Sequence, residues 1–568
     1  MSPGIAASGF CAGLRRNERT LRKEYREVQL RGKSVYARGL IHSGYRKIML
    51  RILFLFLVAC SPGCAGLSEF MAPYTGNTQP QHQQSQIETV PFRLPSHVVP
   101  EHYDLHLEID PNKDTLRGVL KVQIRLTEPS QVIRMHADGP RVHSAMAAFH
   151  KTLLQGRISS DGAGNLTLHY PQALPAGRAV LELRFETSMD TAPKGIFRRQ
   201  DGEAWYVYSQ MGPTYARRSF PCFDQLGLRT PFSIHLAVPK GYTAISNGRE
   251  VQRNIRDGQV VFDFAQTPPI PAHLVAIAVG EFDIIQAPEN TIPGLTLRVV
   301  TTQGKGKLTG YTLERTPLIY QALRTYFGGD HPFKKLDLVA IPYFEVGARN
   351  SPGLSTFRET LLLLGDASKS PTRRRWIQST IARQLAHLWM GNLVTPTWWN
   401  DLWLTEGFTG WISRKVTGLV DPSVADVLEA ERIIAADRIM DVDSNTHTRA
   451  VRQPVLSYDD IMNAFNGLNY VKSEALIVML GSWLGEDKLQ HATRRFLRKH
   501  AYKDGTSEQW LTAMGTITQK PVRQVMDSFI EKPGVPLISM NLDCSSGVAV
   551  RLTANQQRAL PLSSVAAR

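Results

Sequence analysis

Arg383-Gln384-Leu385-Ala386-His387-Leu388-Trp389-Met390-Gly391-Asn392-Leu393-Val394-Thr395-Pro396-Thr397-Trp398-Trp399-Asn400-Asp401-Leu402-Trp403-Leu404-Thr405-Glu406-Gly407-Phe408 is the stretch from which the rest of the chain can be read. Just upstream, Ser370-Pro371 offers a cap followed by proline at the first helical position. Trp376, Ile377, Ile381, Leu385 and Leu388 then recur at three- and four-residue spacing up to Gly391. The spacing predicts a helix that carries Arg383, Gln384 and His387 toward its end. Similar periods cover about 422–440, 470–484 and 486–500, so the region beyond about residue 310 reads as mostly helical.

Upstream the period changes to two. Tyr103, Leu105, Leu107 and Ile109 alternate with His102, Asp104, His106, Glu108 and Asp110; Val122, Ile124 and Leu126 alternate with Lys121, Gln123 and Arg125; Leu181, Leu183 and Phe185 repeat the pattern. With turn residues between the runs (Pro111-Asn112, Asp161-Gly162, Ala176-Gly177), this predicts an all-β domain over 92–285, followed by a mostly helical domain over 286–534. At Pro536 the strand pattern returns in Val548, Val550 and Leu552. The segment 535–568 is too short to bury a core of its own and reads as the start of a further β domain.

The chain has 568 residues, 42% hydrophobic and 20% charged, which excludes disordered and collagen-like classes. Its net charge of +16 resembles a nucleic-acid signature until it is located. Eleven basic and three acidic residues precede Met49, so half the charge lies in the first 47 residues and the rest is too dilute to require a polyanion. No nucleic-acid partner is expected.

After Met49 an apolar run from Ile52 to Ala59 ends at Cys60, the arrangement of an export signal and too short to span a bilayer. Leu57-Val58-Ala59-Cys60 resembles the bacterial lipobox, whose cysteine is acylated; an ordinary cysteine in a buried apolar segment is the competing reading. The expected order is a basic stretch over 1–48 that precedes the true start, a signal over 49–60, and a polar, Gln-rich tether over 61–91. This places the protein in the bacterial cell envelope, lipid-anchored through Cys60 on the periplasmic side. Cys64, Cys222 and Cys544 show neither a disulfide framework nor metal-type spacing.

The opening stretch closely resembles the active site of the aminopeptidase N-type zinc metallopeptidases, the gluzincins with an H-E-x-x-H motif and a glutamate ligand on the next helix. The resemblance runs from Arg93-Leu94-Pro95 through Ala216-Arg217, Phe220-Pro221-Cys222-Phe223-Asp224 and Ser246-Asn247-Gly248 to about Leu552. It implies a multidomain α+β fold: an N-terminal all-β, saddle-like domain, a mostly helical thermolysin-like catalytic domain, and a β-sandwich of which only a stub is expected here.

The resemblance also implies a role for each position, and the sequence departs at several. Zinc needs two histidines on one helical face plus a third ligand, and an adjacent glutamate as base for the bound water. His387 and Glu406 fit two ligand positions, but Arg383 stands at the first histidine and Gln384 at the base. A guanidinium has no lone pair for a metal, and an amide is no general base. Zinc is therefore expected to be absent or weakly bound, and Glu406 is expected to pair with Arg383 instead. Gly347-Ala348-Arg349-Asn350 aligns with the family's G-A-M-E, so Asn350 replaces a glutamate that grips the peptide's α-amine; in Gln210-Met211-Gly212 the second amine-binding glutamate is Gly212, while Gln210 remains. Tyr470 keeps the position of the family's transition-state-stabilising tyrosine, followed by Ser473-Glu474 in place of Gly-Ala.

The leading expectation is a membrane-anchored homologue of aminopeptidase N, catalytically impaired, that still binds peptides. The alternatives are a working zinc aminopeptidase with a substitute ligand, and a non-catalytic interaction protein of the envelope.

Overall fold

The structure is a computed structural model and describes residues 92–331, 333–365, 370–543 and 551–561. The first alternating run becomes the strand Val98–Glu108, with Tyr103, Leu105 and Leu107 buried and His106 and Glu108 exposed. It lies inside an eight-stranded sheet in the order Glu250–Arg256, Gln259–Phe264, Phe232–Pro239, Val98–Glu108, Thr115–Leu126, Gly177–Ser188, Arg141–Phe149, Thr152–Gln155. Neighbours are antiparallel except Val98–Glu108, which runs parallel to Phe232–Pro239. A three-stranded and a four-stranded sheet complete the β-rich region. Tyr103 stacks on Phe232 at 4.4 Å, and its hydroxyl accepts the Phe223 amide at 2.9 Å, so the core also fixes the Phe220–Asp224 turn.

The helical domain follows, with α1 Gly310–Phe327, α2 Pro371–Ala386, α3 Leu402–Val420, α4 Ala425–Asp443, α5 Tyr458–Ala464, α6 Ser473–Leu484, α7 Glu486–His500, α8 Ser507–Thr518 and α9 Val522–Ile530. Ser370 caps α2 by accepting the Arg373 amide, with Pro371 at the first position. The helix stops at Ala386, short of the Gly391 that its apolar period suggested, and His387 forms its C-cap. Trp376, counted in the apolar stripe, is 52% exposed.

The alternation rule stopped the strands too early. A five-stranded sheet in the order Phe282–Gln286, Thr296–Thr302, Lys335–Ile341, Leu354–Arg358, Ala348–Arg349 extends beyond residue 285. Its strand Lys335–Ile341 is buried at every position, so it shows no polar alternation by which to find it. The edge beyond this strand is tied to the β-rich region by Asn247. Its Nδ2 donates to the carbonyls of Leu274 at 2.9 Å and Pro352 at 2.8 Å, and its Oδ1 accepts the Ala276 amide. Gly353, at φ +74°, permits this approach, because a Cβ there would lie 2.0 Å from the Asn247 carbonyl oxygen.

The segment beyond Val535 forms an antiparallel hairpin, Pro536–Asp543 with Arg551–Arg558, exposed at every position. Val548, Val550, Cys60, Cys64, Cys544 and the segments 1–48, 49–60 and 61–91 apart from Phe92 onward lie outside the described residues. Cys222 is buried and unpaired.

One close contact sets the spacing of the site. A Cβ on Gly407 of α3 would stand 2.6 Å from the Ser473 Cβ and 2.7 Å from its carbonyl carbon. Gly407→Ala is expected to separate α3 from α6 and cost about 1–3 kcal/mol, read as a lower urea midpoint. Gly418→Ala, whose Cβ would meet only Ala425 at 3.5 Å, is the control and is expected to keep or raise that midpoint.

Candidate functional site

Helices α2 and α3 pack together and bring three side chains to one place. Arg383, in the last turn of α2, donates from Nη2 to the Glu406 Oε2 at 2.6 Å and to the Glu406 carbonyl at 3.2 Å. His387 lies one turn on, its Nε2 3.9 Å from the same carboxylate oxygen and 3.3 Å from the Thr409 hydroxyl. Glu406 is 7% exposed. Burial pushes its carboxyl up, but His387 and Arg383 beside it hold it below the ordinary value.

Tyr470 sits on a π-helical turn, Leu468–Lys472, with Arg383 Cζ 5.3 Å from its ring centroid. Burial, with Glu406 nearby, pushes its phenol well above the usual range. Gln384 is buried and lines the same cavity as Arg383 and Tyr470. Glu474, at the altered position after Tyr470, is also buried and bonds Arg414 at 2.7 Å. Arg383 Nη1 and Glu474 Oε2 both close on Gly410, within 3.0 and 3.1 Å of where a Cβ would stand.

The expected substrate-anchoring positions come together as well. Ala348 pairs with Phe357 on the edge strand, next to Gly347, and Asn350 donates from Nδ2 to the Asn392 Oδ1 at 2.8 Å. Gln210 turns back on Gly212, donating to its carbonyl at 2.8 Å and accepting its amide at 3.0 Å. Two cavities, both open to solvent, share Arg349, Asn350, His387 and Glu406 on their walls. Gln210 and Gly212 line the first; Ala348, Arg383, Gln384 and Tyr470 line the second. Arg349 carried no expectation of its own, because only the fold shows that it stands on both walls.

This donor set does not fit a catalytic zinc. Such a site uses three protein ligands and an open position, whereas here one imidazole and one carboxylate remain, and the carboxylate already holds a guanidinium at 2.6 Å. Among the described residues, the one grouping of three metal-type donors lies elsewhere, in Asp104, His106 and His235, whose ligating atoms fall within 4.8 Å of one another. Asp104 Oδ1 is 2.9 Å from His106 Nε2 and 3.3 Å from His235 Nε2, and the two imidazoles stack at 4.2 Å. The outward face of the first alternating strand held this signal in Asp104 and His106. Their juxtaposition with His235 required the parallel pairing of two strands far apart in sequence.

Residues 99–274 match the peptidase M1 N-terminal domain and residues 311–529 the peptidase family M1 domain. The chain is 30% identical over 468 residues to aminopeptidase 2, mitochondrial, of Saccharomyces cerevisiae, covering 81% of this chain and 48% of that protein. It is 29% identical over 460 residues to aminopeptidase M1 of Arabidopsis thaliana (79% and 52% covered), and 28% identical over 474 residues to human glutamyl aminopeptidase (79% and 48%). The chain thus spans about half the length of these relatives.

Burial lowers the His387 imidazole to about 4, against the partial opposition of Glu406. In the unfolded chain it titrates near ~6.5. Between these values the unfolded state binds more protons, so His387 makes the fold less stable as the pH falls from about 6.5 towards 4. Relative to His387→Gln, the wild type is expected to lose on the order of 2–3 kcal/mol between pH 7 and 4.5 in urea unfolding; parallel losses in both proteins would contradict this.

Proposed function

The chain belongs to peptidase family M1, and we propose that it is a member that binds peptides in the inherited cleft without hydrolysing them. The observation that carries this reading is the Arg383–Glu406 pair at 2.6 Å. Hydrolysis in this family needs a metal to activate water and a base to take its proton. At the corresponding positions Arg383 brings a fixed positive charge, which repels a dication, and Gln384 brings an amide that accepts no proton at neutral pH. Tyr470 remains, but its raised phenol can stabilise a tetrahedral oxyanion only if something first makes the nucleophile.

The cleft itself offers a place for a peptide. The two adjoining cavities open to solvent, and the wall of the first carries buried aromatic and apolar residues such as Leu226, Trp399 and Leu402 against which a peptide side chain could pack. We further place the protein at the bacterial envelope, anchored by acylation of Cys60, on the strength of the apolar run and Leu57-Val58-Ala59-Cys60.

Two measurements on purified protein test the reading. Zinc should be substoichiometric once His106→Ala/His235→Ala has removed the separate Asp104–His106–His235 cluster, and aminoacyl arylamides should show no chelator-sensitive turnover. Stoichiometric zinc persisting in that variant, together with turnover abolished by a chelator, would establish a working enzyme with a substitute ligand. The double change Arg383→His with Gln384→Glu is expected to raise zinc content to about one per chain, measured by elemental analysis.

A further inference from the structure

The cleft's charges do not balance, and the surplus points to a ligand. Among the described residues lining the two cavities, the carboxylates are Glu406, Glu431 and Glu474. Each has a guanidinium partner: Arg383 at 2.6 Å, Arg375 at 2.7 Å and Arg414 at 2.7 Å, respectively. Arg349, on both walls, has no carboxylate within salt-bridge distance and no hydrogen-bond acceptor for its guanidinium among the described residues; its Nε is buried without an acceptor, its Cζ lies 5.8 Å from the Phe465 ring, and its charge reaches Glu406 only at longer range.

The surroundings of Arg349 add donors rather than acceptors. Asn392, 1% exposed and on the wall of the first cavity, has a buried Nδ2 without an acceptor, its Oδ1 being taken by Asn350. Opposite the guanidinium stands Gly212, where a Cβ would lie 3.9 Å from Arg349 Cζ and from its Nη1, and 3.8 Å from the Gln210 Oε1, which is already taken by the Gly212 amide. His273 and His387, also on this wall, are lowered by burial to about 3 and about 4 and are neutral at pH 7. Glu406 is the carboxylate facing this space; Arg383 bonds it at 2.6 Å, and Arg349 acts on it without contact.

An ammonium group entering here would meet an unpaired guanidinium and no free carboxylate. A carboxylate would meet a planar fork of donors, the geometry that Arg binds best. We propose that Arg349 makes this cleft a receptor for a peptide carboxylate, either a C-terminus or an acidic side chain; this deepens the reading of the cleft as a non-hydrolysing peptide site and rests on it.

Binding of three N-acetylated tetrapeptides to the full chain tests the assignment by calorimetry: Ala-Phe-Ala-Ala as the free acid, the same sequence as the C-terminal amide, and Ala-Glu-Ala-Ala amide. At least one of the two carboxylate peptides is expected to bind about tenfold or more tighter than the uncharged amide, and which one does so identifies the source of the carboxylate. Arg349→Met should bring that ratio to about one, and Arg349→Lys should restore part of it, with the urea midpoint unchanged in both. Equal affinities for all three peptides, no binding of any, or a preference that survives Arg349→Met would overturn the assignment. Chelator-sensitive turnover of arylamides would overturn the loss of catalysis while leaving the acid-over-amide ratio intact.

Discussion

A carboxylate taken out of water is costly unless a cation meets it, and the structure around Glu406 is organised by that constraint. Glu406 is 7% exposed and Arg383 meets it at 2.6 Å. In a metallopeptidase the same carboxylate would be held by a dication. The Arg383 guanidinium supplies a compensating positive charge at that position, and a guanidinium neither coordinates a metal nor accepts a proton. This separates two demands that a metal site normally meets together: neutralising a buried charge and activating water. The same rule holds for Glu474 in the site, met by Arg414, and outside it for buried Asp337 in the five-stranded sheet, met by Lys335 and Arg298.

Much of this was legible in the residues. The four-residue spacing of Arg383 and His387 puts both on one helical face, and the match at Glu406 places its carboxylate opposite, so the pair could be anticipated without coordinates. The alternation of Tyr103, Leu105 and Leu107 gave the β-rich half. What was not legible has physical causes. A strand buried on both faces, such as Lys335–Ile341, carries no period of two. The end of α2 at Ala386 was hidden because Leu388, Trp389 and Met390 are buried in the turn that follows, whose amides still bond back to the helix, and so continue the apolar pattern past its end. Arg349 was silent because whether an arginine is paired depends on every neighbour the fold supplies, and the Asp104–His106–His235 cluster because its members are joined only by strand pairing.

The cleft also shows how the two matched regions divide the work. Gln210, Gly212 and His273 come from the β-rich part and the ion pairs from the helical part, so the first cavity has a wall built by each. The β-rich contribution is rigid for an ordinary reason: the strand Ala204–Gln210 is buried from Tyr206 onward, and Gln210 folds back on the backbone of Gly212.

Asn247 gives this arrangement a thermodynamic meaning. Its one side chain bonds Leu274, Ala276 and Pro352, so the turn that presents Arg349 and Asn350 is clamped by the same amide that ends a strand of the other region. Free energy gained when the cleft is occupied is therefore shared across the junction, by the linkage that any native-state ligand imposes. A ligand touching both walls would stabilise both regions at once, on top of the contacts that already join them in one compact unit.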